Sequence, residues 1–320
     1  MDAPAPLDCI VIGGGAAGLS AALTLGRARR RVALLDAGGQ SNLAADHIGG
    51  LLGYDGRPAP ELYARGRQEI AAYPSVAIRD GLATGVTGDA TAGFTVELAG
   101  GDALQGRRII LALGADYRFP ELPGLAERFG QSVFHCPFCH GWEHADGELG
   151  VLDSSPVGVM RALMLRAWSD RVTLFTNGAE EAVLGAALRE QAAAAGITIE
   201  PRPILRGEGD GTALSRLVVA GDGGEEARAC TGLLVAITLE QRGGLADSLG
   251  VARQGEGYWA GQTLAVDVMG QTNVPGVSAC GDASTANPSV SGAIASGQVA
   301  AAGVVHALTI PAAAAAATHA

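Results

Sequence analysis

Aromatic residues make up only 4% of this 320-residue chain, so the core has to be filled by aliphatic side chains. Positive charge is short as well. Twenty-two Lys and Arg stand against 33 Asp and Glu, a formal charge of -11. A phosphate backbone calls for a basic face, which argues against nucleic acid as a partner. No run reads as long and apolar enough to span a bilayer, and the first residues lack a basic segment followed by an apolar one. The expectation is a cytoplasmic protein with no membrane partner. Cysteine is sparse: of five residues only Cys136 and Cys139 are close together. Cys9, Cys230 and Cys280 are isolated and read as small buried hydrophobes, with no second pair at finger-like spacing. What the chain does have is length for two domains, 48% hydrophobic residues, and 48 glycines for tight turns and close packing.

The stretch that carries chemistry is Phe134-His135-Cys136-Pro137-Phe138-Cys139-His140-Gly141-Trp142-Glu143. Two cysteines separated by two residues at the start of a helix can close into a disulfide. The helix N-terminus and a nearby imidazole both lower a thiol pKa and supply the thiolate that exchange needs. A zinc half-site would need two further ligands, and no metal site is expected. A purely structural disulfide has little purpose in a chain this long under reducing conditions.

Residues 7–12 form a short apolar run leading into Gly13-Gly14-Gly15-Ala16-Ala17-Gly18 and an alanine- and leucine-rich helix to about residue 28. This is strand, glycine turn, helix. Gly13 permits the tight turn, Gly15 lets backbone approach a pyrophosphate, and Gly18 lets the helix pack on the sheet. A second strand over residues 31–35 ends on Asp36, placed to bind an adenosine ribose hydroxyl. Gln40 and Asn42 can reach a flavin's ribityl chain or ring edge, and the loop through His47 to Gly53 can let backbone approach a flat ligand. Further strands are expected over 77–84, 93–98 and 107–113, with a helix over 60–73. The proline-punctuated residues 116–124 read as a crossing into a second domain.

That domain repeats the opening topology without its chemistry. A strand at 150–152 meets Asp153-Ser154-Ser155-Pro156-Val157-Gly158, so Asp153 and Ser155 stand where a fingerprint has its leading glycines. A carboxylate and side-chain bulk there oppose a pyrophosphate, while Gly158 keeps the packing role. Residues 176–181 supply no arginine for a 2′-phosphate. A helix over 159–168 and strands over 171–175, 197–204, 217–220 and 232–237 follow, then a crossing back near 238–245 and a strand over 265–269. Residues 276–279 lead into Cys280-Gly281-Asp282-Ala283, where Asp282 can bind a ribityl hydroxyl. Gln298-Val299-Ala300 is expected to begin a helix aimed at a flavin ring, and the alanine-rich 311–320 to fray.

The order of these features, from Gly13–Gly18 through Asp36, Gln40, Leu113-Gly114-Ala115 and the cysteine pair to Cys280-Gly281-Asp282-Ala283, resembles the low-molecular-weight thioredoxin reductases over nearly the whole chain. His135 to Glu143 looks most like the FAD-dependent dithiol oxidases of disulfide natural-product pathways of the gliotoxin, holomycin and romidepsin type. The resemblance implies an α/β fold of two Rossmann-like, three-layer dinucleotide-binding domains, with FAD bound by residues 1–116 and 242–320 and the cysteines carried by 117–241. It implies a homodimer. It further implies that Cys139 faces the flavin, Cys136 exchanges with substrate, and His140, where the reductases usually have an aspartate, acts as base, with His135 a weaker candidate. Gly13, Gly15, Gly18, Asp36, Gln40, Asn42, Gly114, Asp282, Ala283, Gln298 and Val299 would line the FAD. The expected reaction is oxidation of a small-molecule dithiol with oxygen as acceptor. The alternative is a disulfide reductase fed by NADPH or a protein donor.

Overall fold

Cys9–Ile12, four consecutive buried residues, is the centre of a five-stranded parallel sheet. Its neighbours are Val32–Asp36 and Ile109–Leu111, with Val76–Asp80 and Val277–Ala279 at the edges. Such strands are covered on both faces, which is why they read as continuous rather than alternating apolar runs. One face carries Ala16–Arg27 and Val290–Thr309. These two helices meet at backbone distance, since a Cβ on Gly297 would lie 2.0 Å from the Ala17 carbonyl oxygen. The other face carries an antiparallel sheet of Ala83–Asp89, Gly93–Leu98 and Ala103–Gly106, whose Phe94 and Val96 are fully buried.

A second five-stranded sheet repeats the order of four strands, while its fifth comes before them in sequence rather than after. Leu149–Leu152 is its centre, flanked by Val172–Phe175 and Gly232–Val235, with Thr198–Glu200 and Val133–Phe134 at the edges, all parallel. It too has an antiparallel companion, Ile204–Asp210, Ala213–Gly221 and Gly224–Ala229. In this computed structural model, which describes residues 6–179, 183–255 and 261–310, the chain divides into two units. The first is Met1–Leu43, Ala59–Tyr117 and Leu239–Ala320, and the second is Ala44–Pro58 and Arg118–Thr238. The fold is the thioredoxin reductase-like α/β arrangement of two Rossmann-type, three-layer domains.

Several expectations need correction. Ala44–Pro58, expected with the first domain, falls in the second unit. Residues 197–204 are not one strand: Pro201 and Pro203 interrupt them, and Ile204 starts the antiparallel sheet. Residues 265–269 do not form a strand, because the Asp267 carboxylate accepts from the Met269 and Gln271 amides and folds the segment into a turn. Val290–Thr309 also passes as bilayer-length by size and composition, with mean hydropathy 1.3, against the reading that no run does. Its small apolar residues are explained by close packing, for Ala293, Gly297, Ala300, Ala301 and Val304 are buried. The expected helix start at Gln298 and Val299 is likewise wrong: the helix starts at Val290, capped by Ser289, and those two residues lie exposed more than two turns in. The alanine-rich tail lies outside the described residues.

Candidate active site

The first unit holds a dinucleotide cradle whose glycines each have a visible job. Gly13 has φ +116°, and a Cβ there would lie 2.1 Å from the Ala112 carbonyl oxygen. Gly18 packs so closely that its Cβ would sit 1.8 Å from the Gly13 oxygen. Gly15 faces open space, with only the Gln40 Cγ at 3.7 Å. The helix it caps has no side-chain cap and no acid in its first turn, so its leading amides are left to an anion. Gly14 carries a role the sequence reading missed: a Cβ there would collide with the Asp36 carboxyl at 2.1 Å.

Asp36 is held in place by three donors. Its carboxylate accepts from the Gly38 amide at 2.9 Å, Gln40 Nε2 at 3.1 Å and Arg67 at 2.7 Å. Gln40 Nε2 also donates to the Gly14 carbonyl at 3.3 Å, so this side chain braces the Asp36 turn rather than extending to a ring edge. Asn42 accepts from the Tyr63 hydroxyl at 2.5 Å and keeps Nδ2 as a buried donor with no partner. Asp282, in the 3-10 turn Gly281–Ser284, is part-buried and accepts from the Tyr117 hydroxyl at 2.8 Å. Burial pushes its carboxyl pKa up, while Tyr117 and Arg242 hold it back. Arg242 donates to Asp116 at 2.7 Å and to the Gly39 carbonyl at 2.8 Å, and lies 3.7 Å from where a Gly114 Cβ would be. Gln241 donates to the Ala283 carbonyl at 3.1 Å and leaves its own Oε1 buried and unpartnered. Orphaned buried polar atoms at Asn42 and Gln241, the open face of Gly15 and the braced Asp36 fit a flavin dinucleotide.

The second unit holds the sulfur pair. Val133–Phe134 is an edge strand, and the chain leaves its carboxyl end through His135 into the short helix Pro137–His140, with Cys136 at the N-cap. That helical turn brings the cysteine Cα atoms to 5.3 Å, and the two are joined as a disulfide. Cys9, Cys230 and Cys280 are free thiols, all buried; burial pushes Cys230 and Cys280 up to about 12 and makes them inert. No group of three or more His, Cys, Asp or Glu among the described residues is arranged to hold a metal.

The glycine-rich loop approaches this helix, and the flat ligand expected there is instead the peptide of Cys139. A Cβ on Gly49 would lie 2.3 Å from the Cys139 carbonyl oxygen. Two residues earlier, His47 Nε2 bonds Glu143 Oε1 at 2.9 Å, and the His47 ring centroid is 6.1 Å from that of His140. Both ring nitrogens of His140 are buried and lack a hydrogen-bond partner. Burial lowers its pKa; the Gly130 carbonyl opposes this without reaching hydrogen-bond geometry. His135 is driven further, to about 4, by burial and then by His140. An imidazole so weakly basic stays neutral near pH 7 and makes a poor base. The scarce aromatic residues gather here: Phe134 stacks with His140 and His144, and Phe138 meets Trp168 edge-on. Phe138 and Trp142 are 71% and 81% exposed, which gives the disulfide an apolar surround open to solvent.

Residues 7–303 match the sequence profile of the pyridine nucleotide-disulphide oxidoreductases. The chain belongs to that family. Thioredoxin reductase tcpT of Claviceps purpurea is 32% identical over 306 residues, 92% of each chain. A probable thioredoxin reductase of Arthroderma benhamiae is 37% identical over 186 residues, 55% of this chain and 45% of its own length. The crystal structure of HlmI superposes with a TM-score of 0.87 at 36% identity, covering 96% of this chain and 94% of that one. The chain is therefore an FAD-binding oxidoreductase that acts on thiols and disulfides.

A family named for pyridine nucleotides makes the turn after Leu149–Leu152 informative. Asp153 is buried, accepts from the Ser155 amide at 2.8 Å and pairs with Arg161 of the following helix. The carboxylate thus occupies an amide that a pyrophosphate would use. A Cβ on Gly158 would lie 3.0 Å from the Asp153 backbone carbonyl oxygen and from Leu174, the helix-packing role expected of it. Residues 176–179 bring no arginine, and Glu180 and Glu181 lie outside the described residues. Arg189 of the helix Gly185–Ala194 does line a small pocket with Thr176 and Pro201, a basic side chain that reading along residues 176–181 did not find. Arg67, Tyr63, Tyr117 and Arg242 were also missed, for each is brought to the cradle from a distant segment and carries no local motif.

Proposed function

We propose that this chain is a dithiol oxidase that closes an intramolecular disulfide in a small molecule, with oxygen as the electron acceptor. The observation that carries the reading is Asp153. Its carboxylate consumes the Ser155 amide and pairs with Arg161, so neither that amide nor that guanidinium is left for NADPH at the turn. Pro156 removes a further amide donor from the same turn.

The residues around the disulfide support the same direction of flow. A substrate thiol gives its proton to neutral His140, and the thiolate attacks Cys136. Cys139 leaves as a thiolate, next in sequence to the imidazolium that His140 has become. The second substrate thiol then attacks the mixed disulfide and releases Cys136. When bound, FAD supplies the two-electron chemistry that returns the cysteines to the disulfide at the expense of oxygen. Exposed Phe138 and Trp142 offer apolar contact suited to a small substrate. Resemblance to the natural-product oxidases also supports a cytoplasmic homodimer. The reductase names of the relatives favour a second reading, in which electrons enter from NADPH.

One comparison separates the two. Oxygen uptake by the FAD-loaded protein with dihydrolipoamide, and no flavin bleaching by micromolar NADPH without air, is expected. Bleaching within seconds and no oxygen uptake would establish the reductase.

A further inference from the structure

We propose that His47 and Glu143 form a relay that takes protons from His140 to solvent, and that closure of a dithiol depends on this relay while attack by its first thiol does not. The inference rests on the dithiol-oxidase reading. Closing a disulfide releases two protons in succession. The first thiol transfers its proton to His140, its sulfur bonds to Cys136 Sγ, and the Cys136–Cys139 bond breaks with Cys139 leaving as thiolate. The second thiol must also lose a proton before its sulfur attacks the substrate sulfur and expels Cys136 as thiolate. The substrate loses two electrons and the enzyme disulfide gains them. Between the two attacks His140 has to return to its neutral form.

His140 has no direct opening to bulk solvent, because both its ring nitrogens are buried. Among the described residues, the titratable groups that act on His140 or share the loop of His47 leave one outlet. His135 accepts no proton near neutrality, with a pKa near 4. His144 stacks on Phe134 and is itself lowered by burial. Asp46 is engaged by Gln131 at 3.2 Å, and Asp55 by the Gly50 amide at 2.7 Å. His47 has its ring 6.1 Å from that of His140, a gap that one water or the incoming thiol spans. Its Nε2 meets Glu143 at 2.9 Å, and both side chains reach solvent, at 24% and 37% exposure. Gly49, in backbone contact with Cys139, fixes the loop that carries His47.

The test uses FAD-loaded protein without air, mixed with 2-mercaptoethanol or with dihydrolipoamide at pH 7, acid-quenched and weighed intact. A monothiol needs one proton transfer and a dithiol two. In His47→Gln and Glu143→Gln, each keeping a hydrogen-bonding side chain, attack by 2-mercaptoethanol should stay within about twofold of the unmodified protein. Release of oxidised dihydrolipoamide should slow about tenfold, with the enzyme–substrate mixed disulfide as the accumulating mass, and the loss should fade above about pH 9 as thiols ionise unaided. Imidazole added to His47→Ala should restore release. Equal slowing with both thiols would show a merely structural pair and overturn the relay, as would no change with either. If the unmodified protein exchanges with neither thiol, the oxidase reading itself falls.

Discussion

In the proposed oxidase, His140 is the base that takes the first proton from substrate. An ordinary imidazole is half-protonated near pH 6.5, and burial moves His140 below that value. Lowering the pKa keeps the base form present further into acid, so the acid limb of dithiol turnover should fall below about pH 6.5 rather than at it. It also weakens the base, which sets the size of the effect. His140→Ala should cut dithiol turnover about a hundredfold near neutrality, with part of the loss recovered at high pH where the thiol ionises without help. Unchanged turnover from pH 6 to 8 would leave His140 as a packing residue against Phe134. The cysteine pair and His140 were legible in the sequence because their spacing is itself the motif. His135, five residues before it, is the weaker candidate because it could equally be packed, and burial and then His140 push it down to about 4.

At the scale of elements, a motif was easier to read than its packing partner. The first strand, its glycine turn and its helix were legible together, since hydrophobic run, glycine spacing and helix pattern all agree. The loop through Gly49 was not, because a glycine that admits a flat ligand and one that admits a peptide plane look alike in sequence. The contact with Cys139 decides it. Adding a methyl at Gly49 sets it 2.3 Å from a backbone oxygen that cannot swing aside. Gly49→Ala should therefore cost about 2 kcal/mol and displace the helix that carries Cys139. Thermal melting and dithiol turnover should both fall. Flavin content, read from the ratio of visible to ultraviolet absorbance, should hold, since the cradle's glycines belong to the other unit. Loss of flavin with the melting point intact would put Gly49 at the cofactor after all.

Taken whole, the chain repeats the order of four parallel strands in two sheets, and the Gly13–Gly18 turn of the first has Asp153 and Ser155 in place of its leading glycines in the second. The repeat was legible because parallel buried strands follow each other at similar spacing. What the second copy does with its turn was legible only as a charge, not as a set of bonds. Asp153 combines the two effects that matter: it consumes the Ser155 amide, and it neutralises Arg161, a cation that would otherwise sit beside an incoming phosphate. Asp153→Gly should reverse both, freeing the amide and taking this carboxylate off the guanidinium. Removing one member of a buried pair is costly, so the variant should lose about 3 kcal/mol of stability, and an anion at the turn should return part of it. The expected outcome is a melting temperature that rises with NADP+ in Asp153→Gly and does not move in the unmodified protein. Pro156 still withholds one amide, so the affinity gained should be weak, in the millimolar range. A variant that folds yet shows no shift at millimolar NADP+ would mean that Asp153 is not what keeps the nucleotide out.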